Sequence, residues 1–140
     1  MKLAIAADHA GFKLKEFLKK ELEAKYQLTD FGTHSLESMD YPDIAHPLAK
    51  AIEKKEAELG IIICGSGNGV NITVNKHAGI RAALCWSVEI AALAKQHNNA
   101  NVISIPARFV SQELAKKMVE TFLSTPFEGG RHSKRVEKIA

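Results

Sequence analysis

The chain has 140 residues, 46% of them apolar, and a formal net charge of +3. That length fits one domain, residues 1–140, with room for a real core, and the charge is too small to argue for nucleic acid. The two cysteines come without secretory features, which points to free thiols in a reducing, cytoplasmic setting. No leader is expected, and no apolar run approaches the ~18 residues of a membrane span.

Lys2 to Ala7 is a compact apolar run, the expected first strand, and it ends in Asp8-His9-Ala10-Gly11. Leu14, Phe17, Leu18 and Leu22 then recur at helical spacing among lysines and glutamates. Gln27 to Phe31 reads as a second strand closed by Gly32, and Thr33 to Tyr41 as a polar loop. Ile44, Leu48, Ala49 and Ile52 mark a second helix, which Pro42 and Pro47 confine to a start in their neighbourhood.

Leu59 to Cys64 is a run rich in β-branched residues, as in a strand buried on both faces of a parallel sheet. Glycines follow at 65, 67 and 69, and a helix is expected after Val70, to about Lys76. Ile80 to Cys85 is the predicted fourth strand, and Ser87 caps a helix running to about Lys95. Val102 to Ile105 is the fifth strand. Ser111 caps a helix with Leu114, Ala115, Met118, Val119, Phe122 and Leu123 on its apolar face; Pro126 and Gly129-Gly130 end it. Arg131 to Ile139 suits a short terminal helix within a basic segment at about 128–140. Five alternations of strand and helix predict an α/β fold with a doubly wound parallel sheet.

A strand that breaks into glycines and opens a helix forms an anion site. Its free N–H groups converge, and the helix dipole favours negative charge. Cys64 and Ser66 stand there, and a thiol in that position is expected to carry a larger thiolate fraction. The plainer alternatives are a tight turn and a small buried cysteine. A dinucleotide loop is disfavoured by the G-x-G-x-G spacing and by the absence of an acid after the next strand. A P-loop is disfavoured because no Gly-Lys-Ser/Thr follows.

Ligands of such sheets bind beyond the carboxyl ends of the strands, so Asp8 and His9 should share a rim with Cys64. Asp8 either joins the site or merely caps the first helix, and His9 either joins it or is an exposed loop residue. Gln96 to Asn101 falls between a helix and the fifth strand, at the amino rim. His97 and Asn98 there either end the helix or serve a neighbouring subunit. Arg131 and Arg135, four residues apart, suit a phosphate dianion if helical, or form a solvated basic tail. Arg108 either joins them or lies free on the surface. The histidines at 9, 34, 46, 77, 97 and 132 show no tight ligand spacing with cysteine or carboxylate, so no metal centre is expected.

Ordered blocks along nearly the whole chain resemble ribose-5-phosphate isomerase B and its relatives, which include galactose-6-phosphate isomerase subunits. The carriers are Asp8-His9-Ala10-Gly11-Phe12, Asp40-Tyr41-Pro42, Cys64 to Gly69, Asn75-Lys76, Gly79-Ile80-Arg81-Ala82, Gln96-His97-Asn98, Asn101-Val102 and Glu128-Gly129-Gly130-Arg131-His132. The resemblance implies a Rossmann-like α/β/α sandwich, a homodimer or tetramer, and no metal or cofactor. It implies an aldose–ketose isomerase working through an enediolate on ribose 5-phosphate and ribulose 5-phosphate. The alternatives are a six-carbon sugar 6-phosphate as substrate, or a non-catalytic phosphate-binding module.

Carried over by position, Cys64 is the base, and Ser66 with the amides of Gly65, Gly67, Asn68 and Gly69 holds the enediolate oxygens. His97, from the partner subunit, helps open the ring, with Asp8 opposite. Asn98 binds the sugar, Tyr41 lines the pocket, and His9, Arg108, Arg131 and Arg135 hold the phosphate. Some family members use a glutamate six residues after a glycine that replaces the cysteine. Val70 stands at that later position here, so the chain resembles the cysteine branch.

Overall fold

A computed structural model describes residues 1–139. Five parallel strands form one sheet in the order β2-β1-β3-β5-β4. They are β1 (Lys2–Ala7), β2 (Gln27–Asp30), β3 (Leu59–Cys64), β4 (Ala82–Leu84) and β5 (Val102–Pro106). The helices are α1 (Phe12–Leu22), α2 (Pro42–Glu53), α3 (Asn68–Val74), α4 (Val88–Asn98), α5 (Gln112–Ser124) and α6 (Arg131–Glu137), with a 3-10 turn at His9–Gly11 ahead of α1.

The strand pleat sorts side chains into two cores. Leu3, Ile5, Ile61, Ile63, Ile103 and Ile105 pack with Leu14 and Leu18 of α1 and with Met118 and Phe122 of α5. Ala4, Ala6, Ile62, Cys64 and Val102 face α2 and α3 through Ile44, Leu48, Val70 and Val74. The result is the expected three-layer sandwich. Its central strand, β3, is buried at every position, as its uninterrupted apolar run required.

The order of the strands decides where a ligand fits. The chain leaves β1 for β2 on one side, then crosses to β3 on the other side of β1. The carboxyl ends of β1 and β3 therefore flank the switch point of the sheet, where a crevice opens. Asp8 follows β1 and Cys64 ends β3, and the Asp8 amide donates to the Ile63 carbonyl at 3.1 Å.

Several predicted boundaries move. α3 begins at Asn68 rather than after Val70, because Gly67 is left-handed and its carbonyl accepts the Asn71 amide. β4 is three residues long rather than six. Its entry is bonded by side chains: Asn101 Oδ1 accepts the Arg81 amide and Asn75 Oδ1 the Ala82 amide. α2 starts at Pro42, and Pro47 is accommodated inside it. α4 runs to Asn98, past Lys95, so His97 and Asn98 occupy its last turn rather than a loop. Asn99 closes it in the left-handed conformation, and the Arg81 guanidinium donates to the Asn98 and Asn99 carbonyls.

Candidate active site

The β3–α3 loop is built around one sulfur. Cys64 Sγ accepts the Gly67 amide at 3.1 Å, so a backbone dipole is aimed at the sulfur. Gly67 has φ of 76°, and a Cβ there would stand 2.5 Å from Leu84 Cδ1. Only glycine supplies this turn without strain. Its carbonyl is held by the buried Ser104 hydroxyl at 2.7 Å. Ser66 Oγ accepts the Asn68 amide at 3.2 Å.

The loop after β5 reinforces this arrangement. The Ala107 amide donates to the Cys64 carbonyl and the Arg108 amide to the Gly65 carbonyl, at 2.9 and 3.0 Å. That pairing lays the Arg108 guanidinium over Gly65, where an added Cβ would be 3.0 Å from Nη1. On the other side Tyr41 covers Gly69.

Asp8 does cap the turn that follows it: Oδ1 accepts the amides of Ala10 and Gly11 at 3.0 and 3.1 Å. It also lines the cleft, so capping the turn leaves it at the rim beside Cys64. His9 Nδ1 accepts the Met39 amide at 3.3 Å. This fixes the proton on Nε2, which is left as a donor.

These groups line an open cleft of about 340 Å³ that takes in Asp8, His9, Tyr41, Cys64, Ser66 and Arg108. A larger depression of about 760 Å³ lies near Met1, Lys25 and Tyr26, but no thiol or imidazole is among its described lining residues. The second thiol differs from the first. Cys85 is fully buried, and burial pushes it up to about 12. Cys64 is thus the one cysteine at the cleft.

The remaining sequence candidates lie at the opposite rim. His97 ends α4, and its ring stacks on His132 of α6 with centroids 4.2 Å apart. Arg131 and Arg135 share α6 with His132. β3, six residues long, separates this rim from Cys64 by roughly 17 Å. One chain therefore brings Asp8, His9, Tyr41, Arg108 and the 64–69 loop together, but not His97, Asn98, Arg131 or Arg135.

The fold brings histidines to carboxylates at three places, the first being His34 Nδ1, 4.0 Å from Asp30 Oδ2. Glu53 Oε1 lies 3.0 Å from His77 Nδ1, and His77 Nε2 lies 2.7 Å from His46 Nδ1. Glu128 Oε1 lies 3.5 Å from His132 Nε2 and 4.0 Å from His97 Nε2. The i, i+4 spacing of Glu128 and His132 was a usable sequence signal; the approach of His97 and of His46 had none.

A thiol and a glycine-loop amide at the switch point, with an arginine and an imidazole beside them, are the donor set that proton transfer on a small anionic substrate calls for. Residues 3–139 match the family described as Ribose/Galactose Isomerase. A probable ribose-5-phosphate isomerase B of Mycoplasma pneumoniae is 49% identical over 137 residues, 96% of this chain and 90% of that protein. The crystal structure of a ribose 5-phosphate isomerase from Thermotoga maritima is 51% identical with a TM-score of 0.96, over 99% of this chain and 96% of that one. Ribose-5-phosphate isomerase B from Mycoplasma genitalium, solved with bound ribulose-5-phosphate, is 42% identical with a TM-score of 0.95, over 99% and 93%. The chain belongs to the ribose/galactose isomerase family.

Proposed function

We propose that the protein interconverts ribose 5-phosphate and ribulose 5-phosphate, with Cys64 as the base. The reading rests on the Cys64 sulfur lining the cleft with the Gly67 amide aimed at it. Similarity to ribose-5-phosphate isomerases B, one of them holding ribulose-5-phosphate, supplies the substrate.

In this mechanism the Cys64 thiolate takes the proton from C2 of the open-chain aldose. The electron pair moves into the C1–C2 bond and leaves negative charge on O1. Return of a proton to C1, with the hydroxyl proton moving from O2 to O1, gives the 2-ketose. Ser66 and the amides of Gly65 to Gly69 stabilise the enediolate oxygen, and preorganised donors of this kind are worth about 3–4 kcal/mol each. Asp8 steadies the sugar hydroxyls and Tyr41 closes the side of the cleft. His9 Nε2–H and Arg108 take the phosphate, whose binding holds the reacting carbons in place. Proton transfer and fixed donors suffice, so the chemistry calls on no metal and no cofactor.

The division of candidates between two rims is met by a homodimer, alone or paired into a tetramer. The partner subunit's His97 opens the furanose ring, the partner's Asn98 binds the sugar, and the partner's Arg131 and Arg135 complete the phosphate site. The place of action is the cytoplasm. Among the described residues no helix is long and apolar enough to cross a membrane.

The substrate is tested by comparing kcat/KM for ribose 5-phosphate with that for six-carbon aldose 6-phosphates. A clear preference for the pentose is expected; a preference for a hexose phosphate overturns the choice of sugar and keeps the mechanism.

A further inference from the structure

Three ligand atoms converge at the amino rim. One ligand atom each of His97, Glu128 and His132 lies within 4.8 Å of the other two, and Glu128 Oε1 stands 3.5 Å from His132 Nε2 and 4.0 Å from His97 Nε2. They come from the last turn of α4, the segment after α5 and the first turn of α6. The Glu128 amide pins that segment to α4 by donating to the Gln96 carbonyl at 3.1 Å.

His132 is the informative member. Its side chain is only 9% exposed, and its Nε2 has no hydrogen-bond partner among the described residues. A buried ring nitrogen left without a partner is costly, so the site calls for a ligand there. Burial pushes the imidazole below its ordinary range, and His97 and Arg131 push the same way.

Two imidazoles and a carboxylate are a zinc-type donor set. The set holds a single carboxylate, whereas calcium and magnesium favour oxygen ligands. With bonds of about 2.0–2.1 Å, adjacent ligand atoms in a tetrahedral zinc site stand about 3.4 Å apart. The 3.5 and 4.0 Å separations from Glu128 are near that already. The two rings stack 14° from parallel with centroids 4.2 Å apart, which holds them side by side at the rim. Capture of an ion then turns the His97 ring, the more exposed at 38%, toward a fixed His132. The neighbouring Arg131 opposes a cation and keeps the binding reversible.

We propose that His97, Glu128 and His132 bind a divalent transition-metal ion of the zinc type, and that the ion inhibits by taking His97 from the sugar. The inhibitory part rests on the isomerase reading; the binding part does not.

The test titrates zinc chloride into the metal-free protein by calorimetry, with turnover measured in parallel. Cys64→Ala, Glu128→Gln and His132→Asn are compared after circular dichroism confirms their folding. One ion per chain is expected in the wild type and in Cys64→Ala, with affinity roughly tenfold or more weaker in the other two. Turnover of the wild type should fall with zinc and return with chelator, and Glu128→Gln should need correspondingly more zinc. No binding, or binding that Glu128→Gln and His132→Asn leave unchanged, overturns the site. Zinc held by these residues with turnover untouched overturns the inhibition. A metal-free wild type with no isomerase turnover sinks the isomerase reading alone, because calorimetry reports the site independently.

Discussion

The Tyr41 ring lies on Gly69 so closely that a Cβ on the glycine would stand 2.6 Å from the tyrosine Cζ. This contact joins the start of α2 to the first turn of α3 and sets the width of the cleft beside Cys64. Tyr41 is partly exposed and can swing away, so Gly69→Ala should cost little stability but displace the ring. The expected result is a melting temperature close to wild type with a raised KM for the sugar phosphate. Unchanged kinetics would remove Tyr41 and Gly69 from the site.

Alkylation should distinguish the two thiols. Both cysteines are buried, but Cys85 is fully enclosed and protonated at neutral pH, whereas Cys64 lines the cleft. Iodoacetamide on the native protein should modify Cys64 alone, and ribose 5-phosphate should slow the reaction. Peptide mass mapping reads both results; modification of Cys85 in folded protein would contradict them.

Acid stability should depend on Asp30. Burial pushes its carboxyl up, but bonds from Lys15 at 2.6 Å, Lys19 at 2.8 Å and the Gly32 amide outweigh burial and hold it below the ordinary aspartate value. A carboxylate depressed on folding contributes its full stabilisation above its unfolded pKa of about 3.9 and loses it as pH falls through the folded value. Lys15 is fully buried, so Asp30→Asn leaves it with the exposed-side Glu16 alone. The substitution should cost about 3 kcal/mol at pH 7 in urea unfolding. The gap to wild type should close below pH 4. A gap that stays constant to pH 2 would show that charge is not the cause.

Sharing of sites between chains predicts complementation. Cys64→Ala and His97→Asn homodimers should each be nearly inactive, and mixed dimers should regain activity from the one site that keeps both residues. Verified mixed dimers without recovery would return His97 to the end of α4 as a structural residue.

Much of this was legible in the chain because the deciding signals are local. β1, β3 and β5 announce themselves as apolar runs, since each is covered on both faces. The 64–69 glycine loop follows directly from a buried strand, and so do its partners at the end of β1. Other features depend on long-range contacts. β4 is short because the Asn75 and Asn101 side chains, from distant turns, take the amides at its entry. α4 extends to Asn98 because Arg81, from the far side of β4, satisfies its final carbonyls. The stack of His97 on His132 joins two residues 35 positions apart in the sequence, with no periodicity to reveal it.

Incubation with ribose 5-phosphate in D₂O, followed by NMR, tests the role of Cys64 most directly. The wild type should form ribulose 5-phosphate and place deuterium on the reacting carbon. Cys64→Ala should still bind the sugar phosphate but lose both signals by a factor of about 10² or more. Undiminished exchange and turnover in Cys64→Ala would contradict the account.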